Sequence, residues 1–210
     1  MQTDPFRLYQ NPGWGSAIIE AQLAVYGLRY DLVSAGGSAS MAAVQDAMRG
    51  VNPALQVPAL ILPGGEVMTE TAAMTLYLAD VAGTDLLVPG PGAAERAAYL
   101  RWQVFLVAAV YPSFAYGDVP TRFVPEPAAQ AFRARVIDHR KAMWQVMEAA
   151  SSAPWFLGPR FCAIDIYLAV MTRWVPGAAW FQAETPRLWS AGVAAAAHPA
   201  IAPVMARNFP

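Results

Sequence analysis

The sequence predicts a fold in two parts, an α/β domain over residues 1–84 and an all-α helical bundle over residues 93–210. Before residue 85, short strand-like segments alternate with segments of helical periodicity. Residues 87–92, Leu-Val-Pro-Gly-Pro-Gly, contain too much proline and glycine to continue a helix. We therefore interpret residues 85–92 as a linker. From residue 93 onward no segment favours a strand.

The elements of the first part occur in the order strand, helix, strand, helix, strand, strand, helix. The strands are predicted at 6–10, 30–33, 59–62 and 66–69, and the first two helices at 16–27 and around 41–50. Pro63-Gly64-Gly65 is a strong turn signal between the last two strands. Glu70-Thr71 then begin a helix with a buried apolar face. This order fits a thioredoxin-like domain with a mixed sheet.

The second part is predicted to consist of long helices only. Apolar residues recur at helical spacing in four segments, which are 93–115, 128–151, 162–175 and 186–197. Such segments bury their apolar faces against one another, so we expect a helical bundle.

Residues 52–80 carry the most specific motif of the chain. Asn52 to Leu60 read Asn-Pro-x-x-x-Val-Pro-x-Leu, and a turn, Glu70-Thr71 and a helix containing Tyr77-Leu78 follow. This spacing resembles the glutathione-binding half of glutathione S-transferases. A second stretch is similar to the family's N-capping box, with Cys162 in place of the usual Ser or Thr and Asp165 three residues later. The resemblance implies the glutathione transferase architecture over nearly the whole chain.

The resemblance implies a glutathione site made by Gln56, Val57, Pro58, Glu70 and Thr71. Val57-Pro58 would be a cis peptide that turns the Val57 backbone N–H and C=O toward the cysteinyl backbone of glutathione. The following helix would direct its N-terminal N–H groups at the γ-glutamyl carboxylate. The Thr71 hydroxyl would add a hydrogen bond, and Glu70 would lie near the γ-glutamyl end.

The residue that stabilises the glutathione thiolate is expected just after the first strand. Leu8 to Ser16 are similar to the beta-class pattern Leu-Tyr-x-x-Pro-Gly-x-Cys-Ser, with Gly15 in the position of the catalytic cysteine. Ser16 is therefore a candidate thiolate donor, and an ordinary N-cap serine is the alternative. Tyr9 aligns with the catalytic tyrosine of the mammalian alpha, mu and pi classes and is the second candidate. The Asn11 amide is a further possible donor.

The electrophile pocket is expected to use aromatic side chains, with Trp14, Tyr111 and Tyr116 as the candidates. Tyr111 and Tyr116 flank Pro112, where a helix kinks or ends. Most other aromatic residues of this stretch are expected in the core. His139 and His198 are isolated from other potential ligands in the sequence, so no metal is predicted.

Composition narrows the expected partners and location. A formal net charge of −1 gives no electrostatic footprint for nucleic acid. The longest apolar run, residues 104–111, is too short to span a membrane. The first residues do not resemble a signal peptide, and a single cysteine fits a reducing compartment, so the cytoplasm is expected. The resemblance implies a homodimer.

The predicted function is that of a glutathione transferase. Such an enzyme activates glutathione as a thiolate, either to attack a small hydrophobic electrophile or to exchange thiols. The alternative is a non-catalytic binding or interaction protein with the same fold, which the glycine at position 15 makes credible.

Overall fold

The computed structural model describes residues 4–36 and 41–210 and confirms the predicted fold class. Its single described sheet has four strands, β1 (Phe6–Gln10), β2 (Tyr30–Ser34), β3 (Ala59–Ile61) and β4 (Val67–Met68). They lie in the order β2-β1-β3-β4. Strand β1 is parallel to β2 and antiparallel to β3, and β3 is antiparallel to β4. This is the mixed sheet that the element order predicts.

The strand directions bring three loops to one edge of the sheet. Two antiparallel pairings in succession make β4 run in the direction of β1, so both strands end at the same edge. Strand β3 runs the opposite way and begins there, with Ala59 paired to Tyr9. The segment after β1, the segment before β3 and the segment after β4 therefore meet at this edge.

Three helices follow the strands in the first part of the chain. They are α1 (Ser16–Tyr26), α2 (Met41–Met48) and α3 (Thr71–Ala82). Helix α1 packs against β1 and α3, and residues 16–23 are all buried. It ends at Gly27, whose φ of 64° is a left-handed conformation that glycine adopts easily. Position 27 is thus the C-cap rather than the last helical residue.

The rest of the chain is helical, as predicted, but it contains more helices than the four expected. They are α4 (Arg96–Phe105), α5 (Pro112–Asp118), α6 (Glu126–Ala150), α7 (Ala163–Met171), α8 (Ala178–Glu184), α9 (Pro186–Ala196) and α10 (Ala202–Asn208). The predicted single helix 93–115 is divided, because Pro112 has no N–H and begins α5. A π-helical turn, Leu106–Val110, connects α4 to α5.

A buried arginine stabilises this divided helix. Arg140 of α6 is only 2% exposed, and its Nε donates to the Ser113 hydroxyl at 2.8 Å. The Ser113 hydroxyl in turn donates to the Val110 carbonyl at 2.5 Å. The guanidinium also lies 3.7 Å from the centre of the Phe114 ring, a cation–π contact. Burial lowers the pKa of Arg140 to about 10, so the side chain still carries its charge at neutral pH.

The described part of the chain forms two compact units that differ from the predicted domains at the C-terminus. The first unit comprises Met1–Gly90 together with Ala194–Pro210, and the second comprises Pro91–Val193. The boundary near residue 90 falls inside the predicted linker. Helix α10 packs against α1, however, although residues 93–210 were assigned to one helical domain. Helix α10 groups with the first unit because Arg207 and Asn208 make polar contacts with Glu20 of α1, which is distant in sequence.

Helix α7, in the second unit, begins with a complete capping box. The Asp165 carboxylate accepts the Cys162 N–H at 2.9 Å and the Phe156 N–H at 2.8 Å. The Cys162 sulfur accepts the Asp165 N–H in return. This confirms the capping box expected from the sequence. Burial raises the pKa of the Cys162 thiol, which suits a structural and unreactive side chain.

Candidate functional site

The loop before α1 is closed by reciprocal hydrogen bonds between Asn11 and Ser16. The Ser16 hydroxyl accepts the Asn11 N–H and donates to the Asn11 carbonyl, both at 3.2 Å. Ser16 is fully buried and Asn11 is 2% exposed. The Ser16 hydroxyl, a predicted thiolate donor, therefore commits its proton to the protein backbone in this structure.

The same loop leaves two backbone donors open. No described residue accepts the N–H of Gly15 or Ser16, because the first bonds of the helix begin at Ala17 and Ile18. Both residues are buried. Buried backbone N–H groups nearly always find a partner, and the N-terminus of a helix favours negative charge. These two donors are therefore suited to an anionic atom.

The segment before β3 presents the unpaired backbone of Val57. The Val57–Pro58 peptide bond is cis, as the resemblance implies. The Val57 N–H and C=O have no hydrogen-bond partner within residues 4–36 and 41–210, and Val57 is half-buried. Asn52 holds this segment in place, because its amide donates to the Gln56 carbonyl at 2.8 Å and accepts the Ala54 N–H at 2.9 Å.

Helix α3 begins with strained backbone and an available hydroxyl. Glu70, its N-cap residue, has a φ of 65° and a ψ of 106°, a region that costs a non-glycine residue about 1–3 kcal/mol. The Glu70 side chain is exposed and makes no capping bond. Thr71 is only 5% exposed, and its hydroxyl contacts no partner among the residues that the structure describes. Such strain is typical of functional sites.

A small apolar cluster joins the segments at this edge. Tyr9, Trp14 and Val57 all pack against the buried group formed by Ala35, Val44, Met48 and Ala59. The strand tyrosine, the loop before α1 and the segment before β3 are therefore neighbours in the first unit. The structure brings together the predicted residues on these three segments.

The predicted aromatic residues of the second unit belong to two separate clusters. Tyr111 stacks on Trp174, with ring centres 5.9 Å apart, and Phe114 meets the same Trp174 edge-on at 4.9 Å. Tyr116, in contrast, contacts Phe123. Both Tyr116 and Phe123 are strongly exposed. Tyr111 and Tyr116 thus have different aromatic neighbours.

Sequence reasoning missed three residues that the structure makes prominent. Asn52 was part of the recognised motif, but its amide bonds to the following loop were not anticipated. Trp174 stands directly before Val175-Pro176, where a helix is expected to end, and this position could have indicated that Trp174 is not an ordinary core residue. Asn208 donates to α1 and accepts from Gly13, 195 positions away, so no local pattern could indicate it.

Comparison with known proteins gives a consistent class. No family model matches the chain. The GST-like protein YncG of Escherichia coli K12 is 35% identical over 203 residues, which cover 96% of this chain and 98% of YncG. Glutathione S-transferase GstA of Escherichia coli O157:H7 is 29% identical over 171 residues, which cover 80% and 81% of the two chains. A crystal structure of a glutathione transferase homologue from Sulfitobacter with bound glutathione superposes with a TM-score of 0.85. It is 25% identical, and the match covers 98% of this chain and 99% of that one.

The first unit with its mixed sheet and the helical second unit have the architecture of glutathione transferases. The identity to YncG over nearly the full length shows that the chain belongs to the glutathione S-transferase family. In the described part of the chain, no helix is both long and apolar enough to cross a bilayer.

Proposed function

We propose that the protein is a glutathione transferase that binds glutathione at the sheet edge of its first unit and stabilises the thiolate. The observation that carries this proposal is the set of unpaired backbone groups at Gly15, Ser16 and Val57, on segments that the sheet brings together. The bound glutathione in the Sulfitobacter relative supports the same ligand here.

The proposed grip uses backbone and side-chain groups in distinct roles. The Val57 N–H and C=O pair with the cysteinyl backbone of glutathione, as an added strand pairs with a sheet edge. The N-terminus of α3 and the Thr71 hydroxyl bind the γ-glutamyl carboxylate, which the helix dipole favours. Glu70 lies at the γ-glutamyl end, and the exposed Gln56 and the cis Pro58 complete the segment.

The proposed thiolate donors are the N–H groups of Gly15 and Ser16. A free thiol has a pKa of about 8.5, and lowering it by two units requires about 2.7 kcal/mol. Hydrogen bonds to a charged group contribute about 1.5–3 kcal/mol each, so two such bonds suffice. In this form of the proposal Ser16 is catalytic through its backbone N–H, and its hydroxyl holds the loop. Tyr9, whose hydroxyl has no described partner, remains the second candidate donor.

The second substrate is proposed to be a small hydrophobic electrophile, or a disulfide in the case of thiol exchange. The half-buried rings of Tyr111, Phe114 and Trp174 offer an aromatic surface in the second unit. Trp14 and Tyr116 stay predictions for this pocket. A homodimer and a cytoplasmic location belong to the same proposal, and neither a resident metal nor a nucleic-acid or membrane partner is included.

A pH titration of the thiolate absorbance of bound glutathione tests the proposal. We expect the bound thiol to have a pKa at least one unit below that of free glutathione. Tyr9→Phe should leave that pKa nearly unchanged, and Ser16→Ala should raise it by less than one unit, because the backbone donors remain. A large rise in Tyr9→Phe alone would instead assign the donor role to the tyrosine.

The alternative is a non-catalytic glutathione-binding protein. It is favoured by Gly15, which stands where the beta-class pattern has its reactive cysteine. Glutathione bound with an unshifted thiol pKa, and without turnover of model electrophiles or disulfides, would support this alternative. Absence of glutathione binding in calorimetry would reject both.

A further inference from the structure

The C-terminal helix α10 contacts the loop that carries the proposed thiolate donors. Asn208, 6% exposed, accepts the Gly13 N–H on its Oδ1 at 3.2 Å. Its Nδ2 donates to Glu20 Oε2 and to the Val204 carbonyl, both at 3.0 Å. One side chain therefore connects α10, α1 and the loop before α1, all within the first unit.

The orientation of the Asn208 amide is dictated by Glu20. A carboxylate only accepts hydrogen bonds, so the amide nitrogen must face Glu20 and the oxygen must face Gly13. Glu20 is 1% exposed, and its other oxygen accepts the Arg207 guanidinium. That bond raises the pKa of Arg207, and the guanidinium also bonds to Tyr30 of β2. Glu20, Arg207 and Tyr30 thus form a charged and titratable group in contact with the Asn208 amide through Glu20.

Gly13 is built for this contact. Its φ of 77° is a left-handed conformation that favours glycine. A Cβ at position 13 would also lie 3.3 Å from the Asn208 backbone oxygen, closer than most such contacts. A side chain at position 13 would therefore strain the backbone and crowd α10, so glycine suits this close approach.

The charges of Glu20 and Arg207 affect the start of α1, which follows the same loop. Glu20 lies four residues after Ser16, one helical turn along α1, so the two are neighbours on the helix surface. A buried negative charge at that place would oppose an anion at the start of α1. The Arg207 cation neutralises it and leaves the positive end of the helix dipole effective.

We infer that Asn208 is a positioning residue, which holds residues 13–16 so that the N–H groups of Gly15 and Ser16 face the glutathione sulfur. Arg207 assists by neutralising Glu20. The inference rests on the proposed function, since it concerns the thiolate that the proposed enzyme stabilises. It assigns to the helix farthest along the chain a part in a site built by the first strand and helix.

Asn208→Ala is the main test, with Val204→Ala as its matched control on the same helix. Val204 is buried, so its truncation also weakens α10, but it keeps the Asn208 amide and the backbone carbonyl. In Asn208→Ala we expect the Gly13 amide to exchange with solvent about tenfold faster, as for the loss of one hydrogen bond. We expect the bound thiol pKa to rise by about one unit, and glutathione affinity at low pH to change by less than about threefold.

The control distinguishes the effect of losing the Asn208 amide from the effect of looser packing of α10. Val204→Ala should leave both the Gly13 exchange rate and the thiol pKa at wild-type values. An equal pKa rise in Val204→Ala would overturn the inference, because loose packing would then explain the effect. So would a wild-type pKa in a folded Asn208→Ala protein.

Arg207→Gln provides a second test that does not depend on a buried truncation. The Arg207 side chain is half-exposed, so folding should tolerate the change. Loss of the cation leaves Glu20 uncompensated and should raise the bound thiol pKa. Arg122→Gln, which removes an exposed cation from the second unit, should not. Equal effects of the two would contradict the inference.

Failure of the proposed function is recognised separately. If wild-type protein shows no depressed thiol pKa, the thiolate proposal fails and the inference fails with it. If the wild-type pKa is depressed and neither Asn208→Ala nor Arg207→Gln moves it, only the inference is overturned.

Discussion

Helices α7 and α1 both begin in the interior of a unit, but their first turns are treated in opposite ways. At α7, Asp165 accepts two buried N–H groups and Cys162 completes the capping box. At α1 no side chain caps the helix, and the N–H groups of Gly15 and Ser16 stay open. A helix start satisfied by its own chain serves stability, whereas one with open buried donors is prepared for a ligand.

Helix α3, like α1, begins without a side-chain cap. Its N-cap residue, Glu70, has left-handed φ and no capping bond, and the adjoining Thr71 hydroxyl is open. Helix α7 of the second unit therefore has a complete capping box. The two helices that begin near the sheet edge, α1 and α3, have no side-chain cap. We expect substitutions at α7 to change stability and substitutions at α1 and α3 to change ligand binding.

The largest expected effect is on α7. Asp165→Ala leaves two buried N–H groups without acceptors, at about 1–3 kcal/mol each, so the free energy of unfolding should fall by about 2–6 kcal/mol. Urea denaturation of the variant measures this loss. A decrease below about 1 kcal/mol would show that the cap of α7 contributes little to stability.

The second effect is the pH dependence of the same carboxyl. Burial raises the pKa of Asp165 to about 6, so the folded state holds this proton more tightly than the unfolded state. The stabilisation is complete below pH 4 and is lost as the pH rises through 6, by about 3 kcal/mol for a shift of two units. The stability difference between wild type and Asp165→Asn should therefore be larger at pH 4 than at pH 7. An unchanged difference would refute the raised pKa.

The third effect concerns binding at α3. Thr71→Ala removes a hydrogen bond to a carboxylate and should weaken glutathione binding by about 1.5–3 kcal/mol, with stability little changed. Isothermal titration calorimetry gives the affinity. Thr84→Ala, an exposed threonine beyond the other end of α3, is the control and should bind as wild type does. If Thr71→Ala also binds glutathione with wild-type affinity, Thr71 does not belong to the site.

The smallest expected effect concerns the N-cap residue of α7. Cys162→Ser replaces a weak thiol acceptor by a hydroxyl at the N-cap of α7. We expect the free energy of unfolding to rise by up to about 1 kcal/mol, the usual contribution of an oxygen cap. Thermal unfolding of the two proteins measures the change. A clear destabilisation would mean that apolar packing of the thiol outweighs capping at this position.

Features that depend on neighbouring residues could be predicted from the sequence. The family resemblance carried by Asn52 to Leu60 implied the cis Val57–Pro58 bond, and the Cys162–Asp165 spacing indicated the capping box. Proline and glycine marked the hairpin after β3. The turn and cap signals are local, because turn and cap chemistry is decided within about four residues.

Features that depend on distant residues could not be predicted. The sequence makes the Ser16 hydroxyl a candidate thiolate donor or N-cap, but its actual partner, the Asn11 backbone, becomes a neighbour only when the loop closes. Ser113, at the start of α5, is bound by Arg140, which lies 27 residues further along the chain. The assignment of α10 to the first unit depends on its contacts with α1. Periodicity shows that a helix exists, but it does not show which neighbours the helix selects.

The open donors of α1 are main-chain groups, and this affects how such proteins are recognised. Every amino acid except proline supplies a backbone N–H, so drift in the side chains at positions 15 and 16 does not delete the donors. Searches for a catalytic cysteine, serine or tyrosine will therefore pass over chains of this kind. A backbone amide also does not ionise in the physiological range, so in the proposed enzyme the rate should reach a plateau at alkaline pH. An enzyme that relied on a tyrosine would instead lose its donor near the tyrosine pKa of about 10.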